Sequence, residues 1–325
     1  MKFLVTGGAG FIGHNVVQQL ESQGHECVIF DCITDYKFVP LMELKYLFRE
    51  RNKSIHGHVH RVDITNHANT DLFFSKYAAD ADVVIHLASF PRQKVVNHDP
   101  VRGADVMCTA LIGLMELTAK YRIPKFVYIS SSMVYGDFQN DVTEDATCDP
   151  QGQYGIMKYM GEKLVQDYAR RGCFQHVIVR PSAVYGPMDV EDRVISKFML
   201  SALRGHDLHV KGANEVLDFT YVTDTAQGIA LSATVTEAVG NIFNITRSDS
   251  TLCTLQQVAE KIVKLTNRGQ VIIQERDQSF PSRGRLSIQK ARTLLGYNPT
   301  TDIDQGLSDY HDWFHRSTYW HYRIR

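Results

Sequence analysis

The 325-residue chain has little of what marks several large protein classes. Its six cysteines, Cys27, Cys32, Cys108, Cys148, Cys173 and Cys253, are scattered, with no Cys-x-x-Cys pair and no Cys/His cluster at zinc spacing. That excludes a disulfide scaffold and a zinc-finger reading. No apolar run approaches the ~18 residues of a membrane span. The opening Met1-Lys2-Phe3-Leu4-Val5-Thr6 is too short an apolar run for a secretory signal, so a cytoplasmic setting is the expectation. An excess charge of one sign is also missing: 35 basic against 36 acidic residues give a formal charge of -1. No overall field therefore draws the chain to nucleic acid or to anionic lipid. A composition of 44% hydrophobic and 22% charged residues, without repeats or low-complexity segments, excludes a disordered or collagenous chain.

At ~150 residues per domain, the length corresponds to about two domains. Short apolar runs recur at Lys2 to Thr6, Glu26 to Asp31, Val59 to Asp63, Val83 to Leu87, Lys125 to Ser130 and His176 to Arg180. Helical stretches lie between them, notably His14 to Ser22, Met107 to Tyr121 and Tyr154 to Arg171. Alternation of this kind predicts an α/β protein with a doubly wound parallel sheet of the Rossmann type. After Arg180-Pro181 the pattern turns to mixed short elements, which places a boundary between residues 1–181 and a smaller mixed α/β unit, 182–325, some of whose segments return to the first. Asp35 to Arg51, with Leu41, Leu44, Leu47 and Phe48 at helical spacing, reads as an inserted amphipathic helix packing on the adenine side of the first domain. Tyr319 to Arg325 reads as a frayed tail.

Gly7, Gly10 and Gly13 form a GxxGxxG run between the first strand and the first helix. A tight turn, close approach of a diphosphate to the backbone and close packing of helix on strand each need a glycine there. The helix N-terminus then stabilises the diphosphate charge. Asp31 ends the second strand, where a carboxylate accepts hydrogen bonds from ribose hydroxyls and repels a 2'-phosphate, so NAD is expected over NADP. Asp63 and Ile64 follow the third strand, at the adenine edge.

Tyr154 and Lys158 stand four apart and share one helix face. A neighbouring ammonium favours phenolate, so Lys158 is expected to lower the Tyr154 pKa and make the phenol a usable acid and base. Ser130, Ser131 and Ser132 lie at the carboxyl end of the fifth strand, where open parallel sheets hold their ligands.

With TGGAGFIG, VIFD, HLAS from His86, SSSMVYG, YGIMK followed by GE, RPSAVYGP from Arg180, DFTYVTD from Asp218 and LGYNP from Leu295, the chain resembles the extended short-chain dehydrogenase/reductase family, in its nucleotide-sugar epimerase and dehydratase branch. The resemblance implies catalytic Ser131, Tyr154 and Lys158. It implies NAD held by Gly7, Gly10, Phe11, Ile12, Gly13, Asp31, Asp63, Ile64, Leu87, Ala88, Tyr154, Lys158 and Pro181, with Lys158 anchoring the nicotinamide ribose. It also implies a nucleotide-sugar substrate and a homodimer formed through the helices near Met107 to Tyr121 and Tyr154 to Arg171. Dehydratases of the branch follow the catalytic hydroxyl with an Asp and a Glu; decarboxylases keep the glutamate and 3,5-epimerases place a cysteine there. Here Ser132 and Met133 stand in those places, which leaves C4 epimerisation through a 4-keto intermediate as the expected reaction. A net oxidation, a decarboxylation, a dehydration or an idle NAD-binding module are the alternatives.

Three contacts that the branch uses for its nucleotide sugar are missing, with Ala183 and Met107 in place of asparagines and Leu217 in place of an arginine. Candidate substrate-binding residues are Ser89, Arg92, Ser132, Met133, Arg193 and Arg283, with Lys94 and Arg285 as further cations. His56, His58 and His60 alternate, but no carboxylate or thiol lies at ligand spacing and no metal is expected. His86 reads as a strand-end packing residue.

Overall fold

Strands buried on both faces of a parallel sheet need apolar residues at nearly every position, and the Val, Ile and Phe runs meet that need. In a computed structural model, which describes residues 1–33, 39–249 and 252–319, they are β1 (Lys2–Thr6), β2 (Glu26–Asp31), β3 (Val59–Arg61), β4 (Val83–His86), β5 (Lys125–Ile129) and β6 (Gln175–Pro181). Outside the main sheet, β7 (Val184–Tyr185) pairs with β9 (Thr220–Tyr221), and β8 (Leu208–Lys211) with β11 (Val271–Gln274). A seventh sheet strand, β10 (Ile242–Ile245), lies beside β6, giving the all-parallel order β10-β6-β5-β4-β1-β2-β3.

The period of two along each strand divides the core. Phe3, Val5, Ile29, Ile85, Val127 and Val179 face α1 (Phe11–Ser22), α9 (Val222–Thr234) and α11 (Gln289–Leu295). Leu4, Phe30, Val84, Phe126, Tyr128 and Ile178 face α3 (His67–Tyr77), α6 (Ala110–Lys120) and α7 (Gly152–Arg170). A third core joins α8 (Val194–Leu203), α10 (Leu255–Thr266) and α12 (Ile303–Arg316) around Phe198, Met199, Val258, Ile262, Tyr310 and Phe314. Among the described residues no helix is long and apolar enough to cross a membrane, and no cysteine is bonded to another.

Several elements differ from expectation. The third strand stops at Arg61, because Asp63 turns away and its carboxylate accepts hydrogen bonds from the amide and hydroxyl of Thr65, 3.0 and 2.7 Å. The helix expected from Met107 begins as a π-helical turn, Asp105–Thr109, whose Met107 packs with Phe90, Val95 and Val96. The inserted helix is α2 (Leu41–Asn52); residues 35–38 of that expectation lie outside the described residues. Its Tyr46 and Leu47 enter the third core rather than the adenine side, while Leu44 and Phe48 line the main cavity. Tyr319 is not frayed: it is buried, and its hydroxyl donates to Glu43, 3.0 Å. Residues 320–325 lie outside the described residues.

A buried polar network ties α7 to the sheet. Arg180 on β6 donates from Nε and Nη2 to the two carboxylate oxygens of Glu162, 2.9 and 2.7 Å, and from Nη1 to Tyr135 Oη, 2.8 Å. Ser130 Oγ also donates to Glu162, 2.5 Å, and Tyr135 Oη donates to Asn244 on β10, 2.8 Å. Gly161 lets α7 lie this close, since a Cβ there would fall 2.2 Å from Tyr128 Oη. Removing one member of a buried, hydrogen-bonded ion pair strands the other charge, at a cost of about 3–5 kcal/mol. Glu162→Gln is therefore expected to lower the urea-unfolding free energy by about that amount, and an unchanged denaturation midpoint would contradict the assignment.

Candidate functional site

The carboxyl ends of β1, β4, β5 and β6 open into one cavity of about 720 Å³ that runs from the glycine turn to Arg283. Gly7 sits at φ +69°, a region that favours glycine. A Cβ on Gly7 would lie 2.6 Å from Ala88 N, and one on Gly13 2.1 Å from Gly7 O. Gly10 stands at the N-terminus of α1, so the first amides of that helix face the cavity. Phe11, Ile12, Asp31, Asp63, Ile64, Leu87, Ala88 and Pro181 line the same space. Asp31 accepts hydrogen bonds from Ala9 N and Ile33 N, 3.2 and 2.9 Å; burial raises its carboxyl above the ordinary range, and these two bonds and Arg51 oppose that rise. His86 shares a hydrogen bond with Thr6 Oγ1, 2.8 Å, and burial lowers it to about 3, so it stands neutral against Tyr128.

Ser131, Tyr154 and Lys158 come together over the middle of this cavity. The fifth strand ends at Ile129 and a 3₁₀ turn, Ser132–Tyr135, follows, so Ser131 caps that turn and accepts from Met133 N, 3.2 Å. Its hydroxyl also acts to lower the pKa of the Tyr154 phenol. Lys158 donates to Ile129 O, 2.7 Å, and its nitrogen lies 5.9 Å from the centre of the Tyr154 ring. The phenol's electrostatics differ from expectation. Burial raises its pKa, and the groups acting downward are Arg193, Ser131 and Arg92 rather than Lys158. Burial also lowers the Lys158 ammonium to about 8, with Glu162 opposing.

Of the candidate substrate residues, Ser89, Arg92, Ser132, Met133, Arg193 and Arg283 all line the cavity. Ser132 Oγ donates to Ser182 Oγ, 3.1 Å, and Ser89 Oγ is buried without a hydrogen-bond partner among the described residues. Arg283 Nε is likewise buried and unbonded among the described residues; burial lowers the guanidinium to about 10, with Glu215 opposing and Arg193 reinforcing. Arg285 points elsewhere: it pairs with Asp141, 2.7 Å, and is not a lining residue. Lys94 pairs with Asp192, 3.1 Å. His56 contacts Glu21, 3.1 Å, and the His58 and His60 rings pack edge to face. Sequence reasoning missed Arg51, Asp189, Asp192, Lys211, Glu215 and Arg276. Asp189 and Asp192 stand beside Arg193 in sequence, a clustering of opposite charges that was a usable signal.

Comparison with known proteins gives concordant matches. The model of the NAD dependent epimerase/dehydratase family matches residues 3–246. The chain is 30% identical over 317 residues to an uncharacterized UDP-glucose epimerase, YtcB, of Bacillus subtilis, covering 95% of this chain and 96% of that one. It is 28% identical to a UDP-N-acetyl-alpha-D-glucosaminuronate decarboxylase of Bacillus cytotoxicus, covering 96% and 97%. Among solved structures it is similar to UDP-glucuronic acid 4-epimerase from Bacillus cereus in complex with UDP-glucuronic acid and NAD, with a TM-score of 0.87, 26% identity and coverage of 97% and 99%.

The lowered pKa of Lys158 sets a pH dependence of stability. Between pH 8 and its ordinary value near 10.5, the unfolded chain binds the proton that the folded chain has lost, so stability rises with pH across that window. Lys158→Met removes the buried ammonium. At pH 7 the variant is expected to be more stable than wild type by about 1–3 kcal/mol, and this lead should vanish as the pH climbs from about 8 to 10.5. Parallel urea melts at pH 7 and 10.5 test this; a constant difference would overturn it.

Proposed function

Because the chain belongs to the NAD dependent epimerase/dehydratase family, we propose that it is an NAD-dependent epimerase that inverts C4 of a nucleotide-activated sugar through a 4-keto intermediate. The residues fit that cofactor. The turn at Gly7, Gly10 and Gly13 has no room for side chains against Ala88 and Gly7 itself, and leaves helix-terminal amides for a diphosphate. The Asp31 carboxylate suits two ribose hydroxyls and repels a 2'-phosphate. In this reading Phe11 and Ile12 flank the diphosphate, Asp63 and Ile64 meet the adenine, and Leu87, Ala88 and Pro181 line the path to the nicotinamide. When bound, NAD takes the C4 hydride and gives it back.

The observation that supports epimerisation most is that Ser131, Tyr154 and Lys158 line one cavity, with Ser132 and Met133 beside them bringing no acid or base chemistry. Tyr154 takes the 4-hydroxyl proton as the C4–H bond breaks, and returns it when the hydride comes back to the other face of the ring. Ser131 holds the reacting oxygen and the phenol together. Lys158, fixed to Ile129 O, holds the ribose of the cofactor. A dehydration or decarboxylation needs a further proton donor, and Met133 has none while the Ser132 hydroxyl is bonded to Ser182. Arg283 Nε, buried without a partner, takes the diphosphate, for which the side chains of Ala183 and Leu217 offer no polar group.

The reading extends to organisation. Residues 1–181 bind the cofactor and 182–325 form the smaller nucleotide-sugar-binding unit, with α9 and β10 returning to the sheet. The protein works in the cytoplasm as a homodimer, since α6 and α7 leave Ile112, Ile156 and Met160 exposed and large exposed apolar groups on adjacent helices suit a subunit interface. Ile156→Arg is expected to convert a dimer to a monomer in analytical ultracentrifugation; a wild-type monomer would remove the interface.

The central test is product analysis. The NAD-loaded enzyme should convert a nucleotide sugar to an isomer of equal mass, visible by NMR, with no net NADH. Tyr154→Phe should lose at least ~10²-fold in rate. Release of carbon dioxide or of water, or near-normal turnover by the variant, would refute the proposal.

A further inference from the structure

Arg92 and Arg193 reach the cavity from different parts of the chain, one before α4 (Gln93–His98) and the other at the start of α8. Both guanidinium groups line the cavity with Tyr154, and Phe90 and Val95 on either side of Arg92 pack in one cluster with that tyrosine; both cations act on the phenol and repel each other. Arg92 holds a backbone φ of +76°, strained for a residue with a side chain and the kind of outlier that clusters at functional sites. Its Nη1 donates to Asp192 Oδ2, 2.8 Å, and to Asp192 O, 3.4 Å. Arg193 donates from Nε to Asp189, 3.4 Å, and from Nη2 to Val184 O, 3.5 Å. Hydrogen bonds from Nε and Nη2 of Arg92 and from Nη1 of Arg193 are absent among the described residues, so each guanidinium keeps donors for another acceptor.

The charges do not cancel. Arg92, Arg193 and Lys94 face Asp189 and Asp192, so this cluster carries more cations than carboxylates. Lowering the pKa of the phenol calls for positive charge nearby, but not for guanidinium donors left without an acceptor. The diphosphate does not account for them either. The phenol must meet the C4 hydroxyl, and the diphosphate hangs from C1 on the opposite side of the ring, within the province of Arg283. The substituent next to C4 is the one on C5.

Resting on the C4-epimerase reading above, we infer that the sugar bears a carboxylate on C5, received by Arg92 and Arg193, so that the substrate class is a nucleoside diphosphate hexuronate. A charged carboxylate placed there satisfies the free guanidinium donors with charge-assisted hydrogen bonds. It also explains why two arginines, rather than lysines, occupy the site, since planar guanidinium matches carboxylate geometry.

The test compares UDP-glucuronate, UDP-glucose and UDP on the NAD-loaded full-length protein, by turnover and by calorimetric binding. Wild type is expected to favour UDP-glucuronate over UDP-glucose in kcat/KM. Arg193→Met and Arg92→Met should each lower that preference about 10- to 100-fold, with UDP binding weakened far less, whereas Arg283→Met should weaken all three ligands together. Thermal melts of the variants control for folding. A wild-type preference for UDP-glucose, or a loss of UDP binding in Arg193→Met equal to the loss of UDP-glucuronate, would overturn the inference and leave the epimerase reading standing. If neither sugar turns over, the epimerase reading fails, and the calorimetric preference alone then decides for or against the carboxylate.

Discussion

The two-pronged contact between Glu162 and Arg180 decides where α7 lies, and with it where the chemistry happens. Tyr154 and Lys158 sit two turns and one turn before Glu162 on the same helix, so a carboxylate locked into β6 fixes the distance of both from the sheet. The lock also reaches sideways. Ser130 donates to the same carboxylate, which holds the end of β5 and hence Ser131 in register with α7. A buried ion pair of this sort is a poor source of net stability compared with packed hydrocarbon. Its value here is geometric, because a hydrocarbon contact between α7 and β6 would tolerate sliding that a bidentate pair does not.

The sheet makes that precision useful. Parallel strands deliver all their carboxyl ends to one edge, so the glycine turn after β1, the Leu87–Ala88 segment after β4 and the serines after β5 converge without any of them being close in sequence. Gly7 and Gly13 show how tight the convergence is, since neither position has space for a methyl group. Side chains are excluded at the glycine turn, while Arg92, Arg193 and Arg283 line the cavity away from it.

Much of this was legible in the sequence, for identifiable reasons. The six strands could be read because two-sided burial enforces unbroken Val, Ile and Phe. The phosphate turn could be read because its geometry admits only glycine at fixed spacing. What escaped was set by tertiary contact. β10 is four residues with an asparagine inside it, and Asn244 is tolerable there only because Tyr135 donates to its side chain and Glu144 accepts from its amide. The π-helical turn at Asp105–Thr109 leaves the apolar pattern unchanged, so it passed as helix. Tyr319 looked like part of a loose aromatic tail, and it is buried because Glu43, on an element far away in sequence, gives its hydroxyl a partner. Local periodicity contains no record of such pairings.

The division of labour between cations follows from the same architecture. The spacing of Tyr154 and Lys158 suggested a direct effect of the ammonium on the phenol, yet Lys158 is committed to Ile129 O and bears a desolvation cost that already draws its pKa down. An ammonium that is partly neutral at mildly basic pH is a weak source of field. Guanidinium groups keep their charge over that range, and Arg193 and Arg92 are the ones that bear on the phenol. Both are positioned by the segment from Asp189 to Arg193, through Asp192 and Asp189. Loss of order in that segment would therefore free both arginines from their partners and change the field at the phenol.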